Sequence, residues 1–418
     1  EAIYKREETG RHGLIEAIAA SDHQPGTDSD IKNVAKSMAI SCRPKPSCRQ
    51  MLVDVSAITR NDLRAGIERV VRAQVLELMR NPPAGFSVEP VFLTDRGGHW
   101  HYRYARGFSC GILEIGQAVL SDEPIDINHG DIFYGADFFP GGVIEAARSG
   151  LYARWAVSGI SINFLVYDLL PVLRPEFFPT GAADIHAAWL KAISESSSRL
   201  ICISNAVADE LRSWLKKNRP ARSLPLVIDA VHLGADFTAS EPSMGLPDDA
   251  KKVLAIIREN PSFLMVGTIE PRKGHLQTLG AFERIWDEGR KMNLVIVGPE
   301  GWKHLPDRER RTIPDIVRRL LKHKKCGKQL FWLKDVSDEY LDKIYEDCTC
   351  LIAASEGEGF GLPLIEAARH RLPIIARDIP VFREVAQENA SYFSGLEKDD
   401  LAKTIRKWCD LHVKGRAP

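Results

Sequence analysis

The chain has 418 residues, 44% hydrophobic and 27% charged, with Lys plus Arg equal to Asp plus Glu at 56 each. That length and mixture describe an ordinary globular protein with room for two domain-sized cores. The charge balance argues against bulk attraction to nucleic acid or anionic membrane, no apolar run reaches the roughly 18 residues that span a bilayer, and no signal peptide opens the chain.

The eight cysteines contain no CxxC pair. Cys348 and Cys350 alternate on an expected strand, which fits reduced, buried thiols better than a zinc site and makes a reducing cytoplasm the simplest compartment. Residues 1–50 differ in texture from the rest: two short amphipathic helices (RHGLIEAIAAS and DIKNVAKSMAIS) and an extended Pro-rich connector, SCRPKPSCRQ. This segment is either the tail of a preceding module or a local helical extension.

The first α/β half is expected over 51–237. MLVDVSAI is a strand, and Gly66 opens an amphipathic helix, IERVVRAQVLELMR, stopped by Asn81-Pro82-Pro83. Strand, glycine loop and helix form a phosphate-approach geometry, although taken alone Gly66 is a helix-start residue and Arg69 a solvated charge. FSVEPVFL is a strand; HYRYARGFSCGILEIG is irregular or an edge strand. A strand ending near Tyr134 leads into a helix through Arg154. SINFLVYDLLPVLRP ends its strand at Tyr167-Asp168, where ligands of open α/β sheets sit. RLICISNAVADELRSWLKK is a strand, a Ser204 N-cap and a helix. A final strand ends at His232, a lone histidine that reads as structural.

After a linker, TASEPSMGLPDDAK, a second α/β half is expected over 250–395. PSFLMVGTIEPRKGH runs a strand into a loop with Glu270, Arg272 and Lys273, two adjacent cations suited to an anion. NLVIVGPEGW is the next strand and loop. The basic stretch 308–328 has helical periodicity and reads as a wet helix face. FWLKDVSDEYLDKIYEDC is a strand and a Ser337-capped helix with Asp338 and Glu339 in its first turn. CLIAA, a loop of acid and glycine, and a helix opening at Pro363 then place Glu358 and Glu366 with seven residues between them, spaced to accept hydroxyls at opposite ends of an elongated ligand. One further helix or tail fills 396–418, and the absence of a clear second one suggests truncation.

The string EGFGLPLIEA resembles the E-x7-E motif of retaining glycosyltransferases of family four. The resemblance implies the GT-B architecture: α/β, with two Rossmann-like domains facing a cleft, here with a short N-terminal helical extension. It implies that Glu358 contacts the donor sugar, that Glu366 binds the ribose, and that the turn Gly359, Phe360, Gly361 and Leu362 lies against sugar and diphosphate. GTIEPRKGH resembles the family's diphosphate loop, bringing in Thr268, Glu270, Arg272 and Lys273; many relatives carry Arg where this chain has Thr268. The segment around Gly66 resembles the family's first β–α turn and implies a donor-diphosphate contact. Tyr167-Asp168 stands where many relatives have His-Asp, so Asp168 inherits a catalytic expectation and Tyr167 a donor contact. Ser204 matches an acceptor-side segment, with the plain N-cap reading preferred, and Val336 falls where the base is expected.

GIERVV, YDLLP and GTIEPRKGH resemble bacterial O-antigen and capsule mannosyl- and rhamnosyltransferases. This implies GDP-mannose as first donor, ahead of GDP- or dTDP-rhamnose and UDP-hexoses, and an oligosaccharide or lipid-linked acceptor. It also implies no cofactor or metal, no nucleic acid, and peripheral contact with the inner face of the cytoplasmic membrane beside other polysaccharide-assembly enzymes. A nucleotide-sugar epimerase and a non-catalytic glycan-binding module of the same fold are the alternatives.

Overall fold

The computed structural model describes residues 27–30, 32–33, 48–62, 66–96, 99–116, 121–234 and 245–415. Most of the N-terminal extension and residues 238–244 of the expected linker lie outside them. Within the extension, Thr27 and Asp30 exchange hydrogen bonds at the start of a helical turn. Residues 50–418 form one compact unit built on two sheets.

The first sheet contains β1 (Arg49–Asp54), β2 (Phe86–Arg96), β3 (His99–Tyr104), β4 (Ile132–Gly135), β5 (Ser161–Val166), β6 (Arg199–Cys202) and β7 (Val227–Ala230), in the order β3-β2-β1-β4-β5-β6-β7. Pairs from β1–β4 through β6–β7 are parallel, while β2 and β3 form an antiparallel hairpin at the edge. Helices α1 (Gly66–Arg80), α2 (Arg106–Ile112), α3 (Pro140–Arg148), α4 (Leu151–Val157), α5 (Leu170–Leu173), α6 (Ala182–Ser196) and α7 (Asn205–Lys217) connect them. The ambiguous stretch near 101–116 is therefore an edge strand followed by a short helix. The helix expected to run through Arg154 breaks at Gly150, whose φ of 74° interrupts the helical path between α3 and α4. Behind the sheet, Tyr102, Phe133, Tyr152, Trp155 and Phe164 pack ring against ring in a core with centroids 5.1–5.9 Å apart.

The second sheet contains β8 (Ser262–Val266), β9 (Asn293–Val297), β10 (Leu330–Leu333), β11 (Cys350–Ala353), β12 (Ile374–Arg377) and β13 (Ser391–Phe393), all parallel, in the order β10-β9-β8-β11-β12-β13. Its helices are α8 (Ala250–Glu259), α9 (His275–Asp287), α10 (Ile313–Lys322), α11 (Asp338–Asp347), α12 (Leu362–Arg369), α13 (Pro380–Ala386) and α14 (Lys398–Val413). The strands read as near-continuous Val/Ile/Leu runs because helices cover both faces. Cys348 ends α11 rather than alternating on β11; both it and Cys350 are buried free thiols. Helix α14 packs on α9 and buries Trp408 against Phe263, with centroids 5.7 Å apart. No described helix is long and apolar enough to cross a membrane.

Both sheets follow doubly wound order, so each reverses direction once: between β1 and β4 in the first, between β8 and β11 in the second. A crevice opens outside the carboxyl ends of strands at such a reversal, because neighbouring connections leave on opposite faces. The loops after β8 and β11 carry Arg272, Lys273 and Glu358, which puts the charged residues at one of these reversals.

Candidate active site

The loops from both sheets line one cavity of about 530 Å³. The first half contributes Gly66 and Arg69 after β1, Asp137 after β4, Tyr167 and Asp168 after β5, and Ile203 after β6; the second contributes Thr268, Glu270, Arg272, Lys273 and the run from Glu358 to Pro363, with Glu366. Glu358 and Glu366 thus share a cavity with both cations.

The short 3₁₀ turn Pro271–Lys273 aims two cations back across the β8–β11 reversal. Arg272 is bonded on one side to Glu270 (Nη2–Oε2 2.9 Å) and on the other to Glu358 (Nη1–Oε2 2.8 Å), and also donates to the Gly357 carbonyl at 2.9 Å. Lys273 Nζ lies 2.5 Å from Glu358 Oε1, which also accepts from the Ser355 hydroxyl at 2.7 Å. Burial alone would raise the Glu358 carboxyl; the adjacent Arg272 and Lys273 charges, with the hydrogen bonds from Lys273 and Ser355, overcome it and hold the group at about 2. The four side chains Glu270, Arg272, Lys273 and Glu358 sum to zero charge. Asp168 sits beside them with its carboxyl raised, since burial outweighs the attraction of Arg272 and His186.

Gly359 and Gly361 are glycines for different reasons. A Cβ on Gly359 would lie 2.0 Å from the carbonyl oxygen of Tyr167, because here the motif turn presses against the β5 loop of the other half. Gly361 has φ 95°, a left-handed conformation that lets the chain turn into α12, and serves as that helix's N-cap. Phe360 is buried with Val70, Leu165, Tyr167 and Ile203 in a small apolar cluster joining the halves.

Glu366 is buried on α12. Its Oε1 accepts from Arg69 Nη1 at 3.1 Å and its Oε2 from the Tyr345 hydroxyl at 2.8 Å. Arg69, on α1 of the first half, also approaches Asp338 at 4.0 Å. It is thus a bridge across the cleft and not a solvated charge. The reason is register: the helical period that buries Val70 and Val71 turns Arg69 toward the second half.

The other residues singled out by sequence fall as follows. Ser204 is fully buried; its hydroxyl accepts from Val207 N–H at 3.2 Å as an N-cap and donates to the Gly359 carbonyl at 2.8 Å. It thus ties the start of α7 to the motif turn, which agrees with the preferred N-cap reading. Tyr167 lines the cavity, but its hydroxyl donates to the Ala136 carbonyl at 2.7 Å. Val336 does not line the cavity; it packs against the apolar cluster around Leu264 and Tyr340. Gly66 lies at the cavity rim with nothing within 4 Å of a Cβ placed on it. Thr268 lines the cavity near the start of the loop after β8. His232 has a partner, Glu384 Oε1 at 2.5 Å, and that carboxylate also takes the Asn205 and Ala206 N–H groups at the start of α7. Among the described residues no cluster of three or more His, Cys, Asp or Glu forms a metal site. Sequence reading passed over His186 and Trp189 on α6; the amphipathic pattern of residues 182–196 was the signal that could have found that helix.

Residues 248–415 match the family described as glycosyl transferases group 1. The serotype-specific mannosyltransferase WbdA of Escherichia coli is 41% identical over 384 residues, covering 90% of this chain and 44% of WbdA. The chain therefore spans less than half the length of that relative. O-antigen chain mannosyltransferase B of Escherichia coli is 25% identical over 52% of this chain and 53% of its own. Sucrose-phosphate synthase from Thermosynechococcus elongatus superposes with a TM-score of 0.57 at 18% identity, covering 87% of this chain and 90% of its own. Anabaena HepE in complex with UDP-glucose gives 0.56 at 13%, covering 88% and 91%. The two doubly wound halves around one cleft are the GT-B fold, and residues 248–415 match the model of the group 1 glycosyl transferases.

Proposed function

We propose that the chain is a retaining hexosyltransferase that moves mannose from GDP-mannose onto a growing polysaccharide or a lipid-linked oligosaccharide. The observation that carries this reading is the placement of Glu358, Glu366, Arg272 and Lys273 on one cavity. The 41% identity to a mannosyltransferase supports the choice of sugar. The reading assigns residues 51–237 to the acceptor side and 250–395 to the donor side.

In this reading Glu366 takes the ribose hydroxyls; each of its oxygens has a lone pair left beside Arg69 and Tyr345. Glu358 contacts the sugar, and the α12 N-terminus with Arg272 and Lys273 receives the diphosphate. Both cations are already desolvated and paired, so donor binding exchanges a carboxylate partner for a phosphate and needs little further dehydration. As the anomeric C–O bond to the diphosphate breaks, charge grows on the leaving oxygen, and the fixed cations stabilise it more than they stabilise the bound donor. The acceptor hydroxyl forms the new C–O bond on the same face, and its proton passes to the departing phosphate oxygen. Peripheral contact with the inner face of the cytoplasmic membrane follows from a lipid-linked acceptor.

The test is incubation with GDP-mannose and a mannose-terminated oligosaccharide, read by mass spectrometry and by NMR of the new anomeric centre. One added hexose with retained configuration is expected. An epimerised nucleotide-sugar formed without acceptor identifies the epimerase alternative. No turnover and no binding of GDP, UDP or dTDP leaves only a glycan-binding module.

A further inference from the structure

Arg69 stands in the first turn of α1, where a cation runs against the positive end of the helix dipole. The partners that offset this lie in the other half: Glu366 Oε1 on α12, 3.1 Å from Nη1, and Asp338 Oδ1 at the start of α11, 4.0 Å from Nη2. The Arg69 side chain is 20% exposed and that of Glu366 9%, so salt screens the pair only weakly. Apolar neighbours set the approach of the two helices: Ile67 and Val70 of α1 share one cluster with Phe360, Leu362 and Ile365, the last adjacent to Glu366. Arg69 and Glu366 both line the main cavity, and both also line a smaller pocket with Asp338, Tyr345 and His370. The pair therefore stands between the two spaces.

Building on the transferase reading, in which Glu366 takes the ribose, we infer that Arg69 is a positioning residue of the donor site. It holds the Glu366 carboxylate for the two ribose hydroxyls, and because it comes from the opposite half it makes ribose seating conditional on the halves being closed in this register. A vicinal diol uses both carboxylate oxygens at once. Here each oxygen is anchored by one donor, Arg69 on Oε1 and the Tyr345 hydroxyl on Oε2, and each keeps a lone pair for a hydroxyl. Without Arg69 a buried carboxylate is left on a single neutral donor, which favours rotation of the side chain toward water or another partner. The two acceptor atoms then no longer face the diol as a unit. Direct contact of Arg69 with the diphosphate is the competing role, and position disfavours it. Glu366 is four residues past Leu362, the first residue of α12, about 6 Å of rise from the helix end that meets the phosphates. Arg69 is held there between two carboxylates, whereas Arg272 and Lys273 serve the helix end beside Glu358.

Calorimetric titration of the intact chain with GDP and with 2′,3′-dideoxy-GDP separates the two roles. In the parent chain, loss of both hydroxyls should weaken binding by about tenfold or more. Arg69→Met keeps the apolar length of the side chain; it should weaken GDP by a similar factor and leave dideoxy-GDP within about twofold, so that the two probes bind alike. Arg69→Gln, a milder change, should lose the preference in the same way if Arg69→Met folds poorly. Adding Arg69→Met to Glu366→Gln should bring no further loss, because the two side chains act as one unit. A purely structural role would weaken both probes together. Either Arg69 variant preferring GDP as strongly as the parent does, or losing dideoxy-GDP in step with GDP, overturns the inference. A parent chain that binds no GDP or binds both probes alike, or a Glu366→Gln chain with its preference intact, sinks the donor reading of Glu366 instead. Loss of the preference in Glu366→Gln but not in Arg69→Met sinks the inference alone.

Discussion

Replacing Glu358 with Gln keeps the shape of the side chain and removes only its charge. In the folded chain the carboxyl sits at about 2, against an ordinary 4.5, because Arg272, Lys273 and Ser355 outweigh its burial. At about 1.4 kcal/mol per pKa unit, that depression corresponds to roughly 3 kcal/mol of folding stability. Breaking a buried ion pair from one side typically costs about 3–5 kcal/mol, which agrees. The sign follows from the direction: a depressed carboxyl stabilises the fold above its unfolded value, and that stabilisation drains away as pH falls from about 4.5 toward 2. Glu358→Gln should therefore melt well below the parent chain at pH 7, with the gap closing in acid. The cations released from Glu358 are free to meet a diphosphate, so GDP affinity should stay level or rise. Turnover should fall by about a hundredfold or more, since the lost group contacts the reacting sugar. Thermal melts across pH, calorimetric titration of GDP and a GDP-mannose turnover assay read the three quantities. A parallel loss of GDP affinity and turnover, or an unchanged melting temperature at pH 7, would refute the reasoning.

The double change Arg272→Ala with Lys273→Ala should weaken GDP by at least about tenfold in the same titration, because two charge-assisted contacts are removed; unchanged affinity would mean that the phosphate lies elsewhere. Gly359→Ala drives a methyl to 2.0 Å from the Tyr167 carbonyl oxygen, where neither backbone can yield cheaply, and should cost about 2–3 kcal/mol in thermal stability. A melting temperature near that of the parent would show that the halves are not held in this register. Asp54, buried next to Asp137, has its carboxyl pushed up to about 7 by burial first and the neighbouring charge second. Because the folded state holds that proton more tightly than the unfolded one, stability falls as pH rises from about 4 to about 7, by roughly 4 kcal/mol. Asp54→Asn should flatten that slope in melts between pH 4 and 8; identical slopes would discount the buried charge.

The chain's own order was enough to determine its units. Apolar runs followed by glycine loops and amphipathic stretches gave β1–α1 and β11–α12, and the serines before helices were read as caps that the structure shows accepting from Val207 and Tyr340 N–H groups. Those are neighbour effects, fixed by side chains within one or two turns, so a linear reading reaches them. Adjacent residues also disclosed the charged strings, since Arg272-Lys273 and Glu358 to Glu366 are each contiguous.

What a residue's far partner is, only the assembled sheets decided. Arg69 meets Glu366 across 297 positions, and Ser204 meets Gly359 across 155. Neither pairing leaves a local mark, because it depends on the angle at which two separately folded sheets close on one another. Packing inside each half was equally out of reach: it turned the hydroxyl of Tyr167 into a strut to Ala136, left Val336 away from the cavity, and set α6 with His186 and Trp189 against α3. Periodicity says which face of an element is buried; it carries no information on what that face is buried against, and the chemistry of this cleft is made from those long-range meetings.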